Sequence, residues 1–193
     1  MKNKQKIIKT AQKLFSKYSY LGVSMNDIAN QLKITKAALY YHFTGKTELY
    51  KNVLKNVYQE FKIEVIKKIK FKKDKEKLIA FIENYLRFVS KEKNLIKVVD
   101  LNVLPKNIKI IRYLKQIKNK IIIEATKVVK SLKLNNKINC KLMATIIISM
   151  MNGIVIENSF KKEKINFSKI TEQISNIIFS EFSAKMEKNE KHS

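Results

Sequence analysis

At 193 residues the chain is long enough to bury a real core, as one globular unit or as a small domain joined to a larger one, and its single cysteine, Cys140, excludes an intramolecular disulfide. The formal charge of +25 invites a nucleic-acid partner without locating it: residues 1–50 carry nine lysines against Asp27 and Glu48 (+7), the rest carries +18, and the two parts are almost equally basic. The most apolar window, LMATIIISMMNGIVI, is interrupted by Thr145, Ser149, Asn152 and Gly153 and falls short of the roughly 20 residues of a bilayer span; with no leader-like start, the reading is no membrane and a reducing cytoplasm.

Three glycines, one proline and no strand-like alternation make long helices the economical reading, so the fold class is all-α with about nine helices. Ile7, Ile8, Ala11, Leu14, Phe15 and Tyr18 recur on one helical face and predict a first helix over about residues 3–18. A turn over Ser19 to Val23 follows. Ser24, with Asp27 three residues on, forms a capping box in its Asp form ahead of Met25, Ile28, Ala29 and Leu32. Thr35 then caps a third short helix through His42, closed by Phe43.

A fourth helix begins near Lys46 and keeps a four-residue apolar rhythm through Leu49, Val53, Val57, Phe61, Val65 and Ile69, about twenty-five residues in all. Further helices are expected over about 75–92, before Pro105, and on to about Leu132; KLNNK then separates them from two more, over about 138–160 and 167–188. Cys140 lies in the first of these, a helix apolar nearly all round, and reads as a buried thiol.

The second and third helices have the lengths of a helix-turn-helix, whose second helix enters the major groove while the first braces it. Leu39 and Phe43, four apart, point inward, leaving Lys36, Ala37, Tyr40 and Tyr41 on the other faces. Small residues beside Lys36 permit close approach to bases. Tyrosine hydroxyls suit phosphate oxygens, their rings suit thymine methyls, and His42 can donate to a phosphate. Lys46 adds charge beside the free N–H groups opening the fourth helix.

The run GVSMNDIANQLKITKAALYYHFTGKTELY resembles the DNA-binding signature of the TetR family of one-component transcriptional regulators, with Phe15, Asp27 to Ala29, Leu39 to Phe43 and Lys46 at its marked positions. The likeness covers about residues 5–54. It implies an N-terminal helix-turn-helix headpiece (1–47) and a C-terminal effector-binding and dimerisation domain (48–193), assembled as a homodimer through the last two helices on a palindromic operator of double-stranded DNA. Carried onto matching positions, Lys36, Ala37 and Tyr40 would face base edges, and Ser24, Thr35, Tyr41, His42 and Lys46 would hold phosphates. Leu14, Phe15, Ile28, Ala29, Leu32, Leu39 and Phe43 would be headpiece core. Ser19 departs from the glycine usual after the first helix; if that position needs φ > 0, serine costs about 1 kcal/mol.

Effector-pocket candidates are Phe61, Phe81, Tyr85, Phe88, Asn102, Tyr113, Met143, Met150 and Asn158, since aromatics, methionines and a few polar groups suit an adaptable cavity; each taken singly also reads as plain core. With Glu124 alone among many lysines between Asp100 and Glu157, an apolar or anionic effector is favoured over a cationic one. No metal spacing, nucleophile elbow or phosphate loop is present, so neither a catalytic site, a metal nor a cofactor is expected. The expected function is a sequence-specific repressor released by a small-molecule effector; an adaptor acting through a protein partner and a nonspecific DNA binder are the alternatives.

Overall fold

A computed structural model describes residues 2–72, 74–92, 108–132, 139–158 and 166–190, with side chains for all of these but 2, 74 and 180–190. Its helices are α1 (Lys2–Tyr18), α2 (Met25–Leu32), α3 (Lys36–His42), α4 (Lys46–Phe61), α5 (Asp74–Lys91), α6 (Ile108–Lys130), α7 (Cys140–Asn158) and α8 (Phe167–Glu190). No strand occurs among the described residues, and the all-α expectation holds. The helix expected before Pro105 and the KLNNK separator lie outside the described residues.

Packing divides the chain into two compact units, Met1–Phe61 with Lys91–Asn119, and Lys62–Ser90 with Lys120–Ser193. In the first, α1 packs on α2 and α4, and α2 on α3. Its core holds Ile7, Ala11, Phe15, Ile28, Ala29, Leu39 and Phe43, joined by Tyr20, Val23, Leu49, Tyr50 and Val53. Phe15, Tyr20 and Tyr50 form a mutual aromatic cluster with centroid separations of 4.7 to 6.0 Å. Leu14 and Leu32, expected in the core, are only half-buried, because both line a surface recess between α1 and the end of α2, beside Lys13, Lys17, Gln31 and Lys33.

The fourth helix is shorter than its apolar rhythm suggests. Regular α-helix ends at Phe61, giving way to a π-helical turn over Lys62–Ile66 and a 3₁₀ turn over Lys67–Ile69. Four residues advance about 40° beyond a full α-turn, so a strict four-residue stripe drifts around the cylinder. The wider π turn takes up that drift and keeps Phe61, Val65 and Ile69 all buried.

In the second unit, Leu78, Phe81, Ile82, Tyr85, Leu86 and Val89 bury one side of α5, and the Tyr85 hydroxyl donates to Asn152 Oδ1 at 3.1 Å. Asn139 caps α7 and Asn166 caps α8, each accepting from backbone N–H groups of the first turn. Among the described residues α7 is the one helix long and apolar enough to cross a membrane by length and composition, with mean hydropathy 1.5 over a window of which 28% is buried. The core helix of a helical domain passes the same test, and Ala144, Ile147, Ile148, Met151 and Val155 are buried in this unit.

Candidate DNA interface

The helix-turn-helix is held by local hydrogen bonds before any tertiary packing. Ser24 Oγ accepts from the Asp27 N–H at 3.1 Å, and Asp27 Oδ2 accepts from the Ser24 N–H at 2.7 Å, closing the capping box at the start of α2. The Ser24 backbone N–H, then its hydroxyl, hold the Asp27 carboxyl below the usual range. At the other end, the Lys33 N–H bonds to Asn30 O and the Ile34 N–H to Ala29 O, a Schellman arrangement with Lys33 at φ 55°. Thr35 Oγ1 then accepts from the Ala38 N–H at 3.1 Å and starts α3.

On α3 only Leu39 is buried, and Lys36, Ala37, Tyr40 and Tyr41 stand on the surface, Tyr41 at 87% exposure. His42 is half-buried, its ring edge-on to Tyr41. An exposed face of one lysine, one alanine and two tyrosines offers a donor for guanine, a close approach, and hydroxyls for phosphates.

Lys46 is half-buried, with Nζ 4.3 Å from the centroid of the Tyr20 ring. Burial lowers its pKa from the ordinary lysine value and Asp27 opposes that shift. Beside it, Glu48 Oε2 accepts from the Thr44 N–H at 2.6 Å and from the Thr44 hydroxyl at 2.8 Å, which holds the Glu48 carboxyl low. Ser24 is engaged differently from a free phosphate ligand, since its hydroxyl donates to Asp27 Oδ2 at 2.7 Å. A cation missed by the sequence reading is Lys4, whose Nζ lies 5.1 Å from the Phe43 ring; nothing in its helical position singles it out from the other lysines of α1.

Residues 7–53 match the family model of bacterial regulatory proteins of the tetR family. The match takes in 47 of the chain's 193 residues, all in the N-terminal segment. A relative, the biofilm operon icaADBC HTH-type negative transcriptional regulator IcaR of Staphylococcus epidermidis, is 41% identical over 58 residues, 30% of this chain and 31% of that protein. The probable acrEF/envCD operon repressor of Escherichia coli is 28% identical over 105 residues, 51% of this chain and 47% of its own. The chain thus spans about a third to a half of the curated relatives it matches.

The likeness of fold to solved structures takes in most of the chain. AibR in complex with isovaleryl coenzyme A and operator DNA superposes with a TM-score of 0.70 at 20% identity, covering 90% of this chain and 96% of that one. FadR from Bacillus subtilis in complex with stearoyl-CoA gives 0.75 at 17% identity with the same coverage.

The pocket candidates are distributed between the two units. Phe61 and Tyr113 belong to the first; Phe81, Tyr85, Phe88, Met143, Met150 and Asn158 belong to the second; Asn102 lies outside the described residues. Phe61, Phe81, Tyr85 and Phe88 are fully packed, and Tyr113, Met143, Met150 and Asn158 are half-buried.

Proposed function

We propose that the protein is a cytoplasmic, sequence-specific DNA-binding regulator of transcription, acting as a homodimeric repressor that a small-molecule effector releases from a palindromic operator. The observation that carries this reading is the exposed Lys36, Ala37, Tyr40 and Tyr41 face of α3, braced by a doubly capped α2. Lys36, Ala37 and Tyr40 read base edges; Thr35, Tyr41, His42 and Lys46 hold phosphates; Ser24 serves chiefly through the N-terminus of α2 that it caps. The recorded roles of the curated relatives as operon repressors support the sign of regulation.

The effector is apolar, anionic or both, and acyl thioesters of coenzyme A are the first compounds to test. They combine an aliphatic chain with phosphates, and they occupy two structural neighbours of this fold. The dimer forms through α7 and α8. On α7, Leu142, Ile146, Ser149, Gly153 and Ile156 recur at three- and four-residue spacing and are all exposed, opposite the buried stripe of Ala144, Ile148, Met151 and Val155. A helix with two apolar faces and one covered supports a second helix pairing there.

The test is selection of genomic fragments on the purified protein, followed by titration of enriched sites with wild type and a Lys36→Ala, Tyr40→Ala variant at several salt concentrations. Enrichment of a palindrome, lost on substitution and released by an acyl thioester, is the expected result. Uniform, steeply salt-dependent binding with no enriched site overturns it.

A further inference from the structure

The first unit contains a directed chain of side-chain hydrogen bonds that the DNA-facing residues do not use. Gln5 Nε2 donates to Asn56 Oδ1 at 3.0 Å; Asn56 Nδ2 donates to Gln12 Oε1 at 2.7 Å and to Glu60 Oε1 at 3.1 Å. Gln12 Nε2 then donates to Glu60 Oε2 at 2.6 Å and to Glu92 Oε1 at 3.1 Å, and Ser16 Oγ donates to Glu92 Oε2 at 2.6 Å. Glu92 is 2% exposed and Gln12 6%. In a chain with 41 basic and 16 acidic residues, a carboxylate this deeply buried and bonded to neutral groups is unexpected on composition.

The chain of bonds has one polarity. Gln12 Oε1 is already an acceptor for Asn56, so its NH₂ must face the carboxylates, and Asn56 is oriented in turn by Gln5. Glu92 terminates the chain, with each carboxylate oxygen accepting one bond from α1. Gln12 and Ser16 are four apart on one face of α1, so Glu92 grips that helix at two successive turns. A polar group removed from water persists only when it is hydrogen-bonded in this way.

Glu92 follows directly on the last residue of α5, a helix whose stretch from Asp74 to Ser90 belongs to the second unit. The helix it grips, α1, packs on both α2 and α4. We propose that Glu92 is a positioning residue for operator binding: from the residue after α5 it clasps α1 through Gln12 and Ser16, and so fixes the helix on which α2 and α4 pack. This rests on the DNA-binding reading above and adds to it a residue that holds the reading head in place.

The test uses the full chain on the selected operator. Glu92→Leu keeps much of the side-chain volume but removes both acceptors, and Ser16→Ala removes one bond from the α1 side. Glu92→Leu should weaken operator binding about tenfold, with binding to random DNA not weakened because no lysine is lost. Ser16→Ala should give a smaller loss, and the double variant should be no weaker than Glu92→Leu alone. Glu92→Gln, whose oxygen can accept from Gln12 while its NH₂ donates to the Ser16 hydroxyl, should stay close to wild type. Leu78→Ala, which truncates a buried residue of α5 away from the clasp, serves as the stability control. Wild-type operator affinity in Glu92→Leu, strict additivity with Ser16→Ala, or an equal affinity loss in Leu78→Ala at matched melting temperature would each overturn the clasp. Absence of any preferred site for the wild type would instead overturn the regulator reading on which it depends.

Discussion

Lys46 holds its ammonium over the ring of Tyr20, 4.3 Å from the centroid, while the Tyr20 hydroxyl lies 3.2 Å from Thr47 Oγ1. The charge at the entry to α4 is thereby fixed in direction by a buried aromatic ring. Lys46→Ala should reduce operator affinity about tenfold and lower the slope of log affinity against log salt by about 1. Tyr20→Leu keeps the charge and should leave that slope unchanged while weakening binding less. An unchanged slope for Lys46→Ala, measured by titration at several salt concentrations, would remove Lys46 from the phosphate contacts.

Two turns place non-glycine residues in the left-handed region, Ser19 at φ 66° and Lys33 at φ 55°. Each should cost about 1 kcal/mol, so Ser19→Gly and Lys33→Gly should each raise the melting temperature by roughly 2 to 4 °C. Gly22 works by space, not by φ: a Cβ there would collide with the Tyr18 carbonyl oxygen. Gly22→Ala should therefore destabilise, by about 1 to 3 kcal/mol. Thermal melts of the three variants check the opposed signs.

The capping box carries a pH dependence of definite sign. The folded Asp27 pKa is depressed, mainly by the Ser24 N–H, so its stabilising contribution is complete above the unfolded value of about 3.9 and is lost as pH falls through the lower folded value. Glu48 at Thr44 has the same sign. The difference in melting temperature between wild type and Asp27→Asn should stay constant from pH 7 to about pH 5 and shrink below that, as pH falls through the unfolded and then the folded pKa. A difference that stays constant down to pH 3 would show that the ionised carboxylate is not what holds the cap.

The headpiece was legible because its signals are local: Ser24 and Asp27 lie three apart, Thr35 sits beside the helix it caps, and Leu39 and Phe43 share a face. The DNA-facing assignment of Lys36, Ala37 and Tyr40 came from the family pattern as much as from chemistry, and their exposure is what the fold adds. The π turn after Phe61 was not legible, since the apolar stripe persists whichever hydrogen-bond register carries it. Nor were the turns fully marked by glycine, because Ser19 and Lys33 occupy its usual conformation. Glu92 was invisible in the sequence: its partners Gln12 and Ser16 lie 80 and 76 residues away.

Tyr50 is wholly buried against Phe15 and Tyr20, and its hydroxyl has no hydrogen-bond partner among the described residues. Burial drives its pKa upward, so the hydroxyl stays protonated throughout the working range. A buried donor without a partner costs about 1 to 3 kcal/mol. Tyr50→Phe removes that group while keeping the ring contacts, and should stabilise the protein or leave it unchanged. Tyr50→Ala should cost about 3 to 5 kcal/mol through the cavity it leaves. A clear loss of stability in Tyr50→Phe, by denaturant titration, would mean that the hydroxyl is bonded in solution.

Gly153 lies within the proposed dimer interface and outside the core of the second unit. It lies on the exposed stripe of α7 between Ile146 and Ile156, and a Cβ there would meet nothing within 4 Å. A side chain at this position therefore starts into open space in the protomer, and isoleucine replaces a poor helix former with a better one. If α7 meets its mate at this point, closely approaching backbones have no room for the added side chain. Gly153→Ile should then keep the wild-type helicity while sedimentation equilibrium shows a monomer, and affinity for a palindromic site should fall toward that for a single half-site. Gly153→Ala, smaller by three carbons, should remain largely dimeric. A Gly153→Ile protein that stays dimeric and binds the palindrome normally would place the interface on another face of α7 or α8.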